Sequence, residues 1–156
     1  MISPVPRLVA LLAVPLVLLA GCSSAPPEVV FTAGGASVSA GPTQYCDDEF
    51  VNCTNQPDAP VDLPVPPGTP LEVAVPPEVA GTPWQVVFSY RTAAGEPVDE
   101  RTAVQVERDT YVLQLAPDAR LLIAEVQQFG PAPEVDPETG ELEFPIRASW
   151  VLTAAA

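Results

Sequence analysis

The chain has no lysine and no histidine, and only three cysteines and one methionine. Without histidine it cannot build a Ser–His or Cys–His dyad. Without lysine it cannot build a Ser–Lys pair or a Schiff base. It also lacks a Gly-x-Ser-x-Gly nucleophile elbow and a glycine loop of the kind that cradles phosphate. Carboxylates and tyrosines are the only general acids and bases left, so paired-acid hydrolysis, as in glycoside cleavage, is the one catalytic chemistry still open. Basic charge is equally scarce. Six arginines face 20 acidic residues, for a net charge of −14. That balance excludes nucleic acid, whose phosphates require Lys and Arg, and it disfavours a protein lying flat on an anionic bilayer. Neutral or cationic partners fit it, although the same charge also serves simply to keep a surface protein soluble.

Only one long apolar run is present, LVALLAVPLVLLA at residues 8–20. It is too short for a membrane-spanning helix, which needs about 20 residues, and it suits the h-region of an export signal behind Arg7. Leu19-Ala20-Gly21-Cys22 follows, a pattern that resembles the bacterial lipobox, where a cysteine is acylated and the chain is cut before it. An ordinary secretory signal that happens to contain a cysteine is the alternative. The expectation is a leader over residues 1–21, a lipidated Cys22 with a short tether over 22–28, and a folded domain over 29–156. Two acyl chains anchor a protein stably where one does not, which places the protein on the extracytoplasmic face of the cell membrane. The mature chain keeps all 20 acids and loses Arg7, for a net charge of −15.

With Cys22 lipidated, Cys46 and Cys53 remain, an even pair in an oxidising compartment, where disulfides persist. A metal site is the other reading of a Cys-x6-Cys spacing, but no histidine or further cysteine is present to complete a zinc tetrahedron.

Beyond the tether, alternation with a period of two dominates. VVFTAGGASVSA predicts a hairpin turning at Gly34-Gly35. LEVAV, WQVVFSYR, AVQVE, TYVLQLA, LLIAEVQQF and FPIRASWVL read as further strands, about eight in all, with turns at AAGEP and DPETGE and no helix after the leader. The 21 prolines lie between these runs. Proline-dense NQPDAPVDLPVPPGTP is expected as an extended connection along the edge of the fold. This pattern predicts an all-β protein, a single small β-sandwich of immunoglobulin or fibronectin type. Cys46 and Cys53 are too close in sequence for the inter-sheet bridge of an immunoglobulin domain, which favours a fibronectin-like or irregular sandwich.

YCDDEFVNC, LPVPPGTPLEVAVPPEVAGTPWQVVFSY, AEVQQFG and RASWVL, set behind a lipobox, are similar to an actinobacterial family of exported proteins called domain of unknown function 2771. The resemblance extends over nearly the whole mature chain. It implies an envelope lipoprotein and carries no catalytic residues.

Two acidic groups are candidates for chemistry. Asp47, Asp48 and Glu49 lie inside the cysteine loop, and Glu134, Asp136, Glu138, Glu141 and Glu143 surround DPETGE. Catalysis and calcium binding are weighed against solvated loops with ordinary pKa values, and the loops are preferred. Asn52-Cys53-Thr54 is a glycosylation sequon by coincidence. Trp84, Phe88, Tyr90 and Trp150 are expected in the core rather than in a lipid or glycan pocket, and VDLPVPPGTP as an edge connection rather than a docking segment. The functional expectation is a non-enzymatic binding or accessory lipoprotein without cofactor or metal, whose partner is an envelope protein or glycan. A small-ligand carrier is the alternative, and a carboxylate hydrolase is less favoured.

Overall fold

A computed structural model describes residues 25–155. The expected leader and Cys22 lie outside the described residues. The described chain is all-β apart from one helical turn. Strands β1 (Val29–Ala33) and β2 (Ala36–Ala40) form the expected hairpin. Gly34 and Gly35, at φ 58° and 84°, take the left-handed turn that other residues resist. β1 pairs on its other side with β6 (Leu71–Ala74), and β6 with β9 (Thr110–Leu113), giving a four-stranded antiparallel sheet in the order β2-β1-β6-β9.

The second sheet has seven strands. The path runs β4 (Cys53–Asn55), β3 (Gln44–Cys46), β13 (Ile146–Ala155), β10 (Arg120–Phe129), β7 (Trp84–Arg91) and β8 (Pro97–Arg101). β5 (Val61–Pro64) pairs in parallel with the far end of β13. The proline-dense segment thus runs extended, as expected, and contributes one short strand. β11 (Glu134–Val135) and β12 (Leu142–Glu143) form a separate hairpin around DPETGE.

Alternation places one face of each sheet inward. Phe31, Leu71 and Val73 of the first sheet and Trp84, Val86, Phe88, Val126, Trp150 and Leu152 of the second belong to one buried cluster. Each buried indole N–H finds a carbonyl, as such donors require. Trp84 donates to Arg108 O at 2.9 Å and Trp150 to Pro27 O at 2.9 Å. The second bond fixes where the chain joins the fold.

Three expectations need correction. A helical turn, α1 (Pro77–Ala80), follows Pro76, where prolines preset the backbone for a first turn. The buried Gln128 amide holds it by donating to Glu78 O at 3.2 Å and Thr82 Oγ1 at 2.9 Å. The strand count is higher than eight, because β3, β4, β5, β8, β11 and β12 are only two to five residues long and carry too little alternation to read. AVQVE forms no strand. The Thr102 hydroxyl accepts the Val86 N–H at 3.1 Å, and the Thr102 and Gln105 side chains turn back onto Ala103 O. Only Gln105 bridges to Trp84, and Glu107 then reverses the chain at φ 54°. The ladder is broken there, and Val104 and Val106 are left facing out, 50% and 60% exposed.

Candidate functional site

Three segments converge where β10 ends and β13 begins. The first is this interrupted stretch with Val104 and Val106. The second is the cysteine loop. Cys46 and Cys53 face each other across the β3–β4 ladder and are joined by a disulfide, as expected. The bridge links neighbours within one sheet, so Trp84 has no disulfide to pack against.

Inside the loop, Asp47 is an organiser. Its carboxylate accepts the Val51 N–H at 2.8 Å, the Asn52 N–H at 3.1 Å and the Asn52 amide at 2.6 Å. The Asn52 side chain is therefore engaged within the loop. Phe50 takes a left-handed backbone, φ 57°, and its ring covers Gly130. A Cβ at Gly130 would lie 2.7 Å from that ring, so glycine is what allows Phe50 to seat. Arg147 ties the loop to β13, pairing with Asp48 at 2.9 Å, donating to Cys46 O at 3.1 Å and lying 5.5 Å from the centre of the Tyr45 ring.

The third segment is the β11–β12 hairpin. Asp136 Oδ1 accepts the Glu138 and Thr139 N–H groups at 2.7 and 2.8 Å, and Gly140 closes the turn at φ 74°. A cleft of about 140 Å³, lined by Asp48, Glu49, Phe50, Pro131 and Pro133, lies between the cysteine loop and the root of this hairpin. Beside it is a wholly apolar cleft of about 200 Å³, formed by Pro83, Val104, Val106, Phe129 and Phe144. Phe129 and Phe144 meet edge to face at 6.3 Å, and Phe144 is 51% exposed.

Asp47 and Asp136 depart from the expectation of ordinary acids. Partial desolvation alone would raise Asp47, but the Val51 N–H, the Asn52 side chain and the Asn52 N–H outweigh it and hold its carboxyl below the ordinary aspartate range. For Asp136, the Thr139 and Glu138 N–H groups do the same against slight desolvation. Both folded values are depressed. Each carboxylate therefore supports its loop above the unfolded pKa, and the support fades as pH falls through the still lower folded value. These are structural acceptors. Among the described residues no three carboxylates or cysteines gather as a metal site. Asp136→Asn together with Glu138→Gln and Glu141→Gln is expected to leave the hairpin formed, because asparagine retains an acceptor oxygen. Asp136→Ala is expected to open it. Amide exchange at Glu138 and Thr139 measures the difference, and equal protection in both variants would refute the capping role.

The aromatic candidates lie where expected. Trp84, Phe88 and Trp150 are core, and Tyr90 packs against it half-buried. The apolar cleft and Arg147 were not singled out by the sequence. Phe129 and Phe144 sit in runs that read simply as strands.

Residues 23–155 match the model of a family described as Protein of unknown function (DUF2771). No curated protein and no solved structure matches the chain.

Proposed function

We propose that this protein, which belongs to the DUF2771 family, is a non-enzymatic lipoprotein of the cell envelope that binds another envelope component. In this reading its two main sheets form an irregular sandwich held to the membrane through Cys22. One observation carries the binding role. Of the nine exposed large hydrophobic residues described, six (Val51, Val104, Val106, Val135, Leu142 and Phe144) lie on the three segments at one end. Scattered apolar residues are normal on a surface, whereas six gathered at one end, with Val104, Val106 and Phe144 lining a cleft there, mark contact with something else. A small-ligand carrier receives less support, because Trp84, Trp150 and Phe88 are enclosed in the core and line none of the clefts described. Hydrolysis receives less still, because the two perturbed carboxyls are engaged in holding loops.

The anchor is tested by fractionation. The full chain, expressed in a lipoprotein-processing bacterium and fed labelled fatty acid, is expected in membranes with the label attached. Cys22→Ala is expected to lose the label and either stay uncleaved or leave the membrane. A Cys22→Ala protein that is cleaved and still firmly bound would refute the anchor.

A further inference from the structure

We infer that the apolar end receives an extended segment of a second protein in which arginine or lysine alternates with apolar side chains. This rests on the binding role proposed above and specifies its partner. The cleft of about 200 Å³ has room for one or two side chains and no polar lining, so it suits an anchor residue rather than a sugar. The chain beside it alternates acid with apolar: Glu141, Leu142, Glu143, Phe144, all exposed. Among the described residues the carboxylates of Glu134, Glu138, Glu141 and Glu143 have no cation. The only ion pair among the described residues joins Arg147 to Asp48, and the chain has no lysine to offer. A segment that places cations against these acids and an apolar side chain in the cleft satisfies both features, and such complementarity sets partner choice and encounter rate. Among the described residues β11 and β12 pair only with each other, which leaves each a backbone edge where an extended segment can add. An anionic lipid surface is disfavoured by the same acids.

The partner is held close to the membrane. Ala25–Pro27 share a cleft with Tyr45 and Glu78. Gln128 reaches Glu78 O, and the next residue, Phe129, lines the apolar cleft. The docking end is thus the end where the tether joins the fold. Four residues lie between Cys22 and Pro27, so the five steps from one to the other reach roughly 15–20 Å at about 3 Å per residue.

The test uses the full-length protein in its own cells, with a photoactivatable side chain at Val106 or Phe144. Val112, exposed on the four-stranded sheet, is the control position. The expected result is a discrete protein adduct from 106 and 144 and none from 112. Its crosslinked peptide should carry Arg or Lys among apolar residues. Glu141→Gln with Glu143→Gln should lower the yield roughly three- to tenfold, as expected for two exposed ion pairs. Adducts only to lipid or glycan, an equal adduct at 112, an acidic crosslinked peptide, an undiminished yield, or no adduct would each overturn the inference. Membrane fractionation of the same cells reads the anchor separately. A released chain that still crosslinks as described would fail the anchor and keep the partner.

Discussion

Replacing Trp150 with alanine is expected to lower stability by about 3–5 kcal/mol, the range for removing a fully buried tryptophan. Trp150 lies in the middle of β13, the strand flanked by β10 on one side and by β3 and β5 on the other. It is 0% exposed, and its indole donates to Pro27 O at 2.9 Å. The substitution therefore leaves a large cavity in the shared core and frees the segment around Pro27 that leads into β1. A domain of this size has about 5–15 kcal/mol in total, so the variant should be largely unfolded or close to it. Trp150→Phe separates the two contributions. It keeps most of the apolar volume and removes the donor, so its cost should be about 1–2 kcal/mol, with faster amide exchange near Val29. Urea denaturation measures both. A loss below about 1.5 kcal/mol for the alanine variant would show that Trp150 does not hold the two sheets together.

The long strands were legible because their alternation is long. Trp84, Val86, Phe88 and Tyr90 keep period two over β7, and β10 and β13 each run ten residues. The Gly34-Gly35 hairpin was legible from turn chemistry. The short strands were not, because two or three residues carry no period and their pairing depends on distant partners, as when Tyr45 meets Ala148. AVQVE has strand composition, and tertiary context overrode it. The Thr102 hydroxyl took the Val86 N–H, a competition that composition does not reveal.

The same interruption explains why the candidate surface was hidden. Val104 and Val106 read as one face of a strand, which implies burial. Their exposure follows from the broken ladder. Phe144 and Phe129 come together only because Gly130 donates to Pro145 O at 2.8 Å and Phe129 to Pro83 O at 3.0 Å, and neither contact has a local signature. The acidic hairpin was visible as charge, whereas the role of Asp136 depends on which backbone N–H groups its carboxylate meets. The disulfide pair was visible because, with Cys22 expected to carry a lipid, only two cysteines were left to pair.

Removing that disulfide should produce the second large effect. Cys46 and Cys53 close an eight-residue loop, for which chain entropy gives about 2–3 kcal/mol. Cys46→Ala with Cys53→Ala is the suitable variant. Cys46 is 2% exposed, and serine there would bury a hydroxyl and confuse the result. The stability loss should lower Tm by about 8–12 °C. The urea m-value should rise slightly, since the freed unfolded chain exposes more surface. The folded state should change only locally. β4 is exposed at all three residues and, among the described residues, pairs only with β3, so without the bridge it depends on that short ladder and on the Asp47 bonds to Val51 and Asn52. Fraying should therefore accelerate exchange at Asn52 and Asn55 and leave Val126 and Leu152 protected in the core. The native rearrangement and the entropic loss are then separable, one seen in local exchange and the other in global unfolding. Equal loss of protection at Asn55 and Leu152 would show instead that the loop is integral to the core. A stability change under about 1 kcal/mol would show that the loop's own hydrogen bonds and Arg147 already constrain it without the bridge.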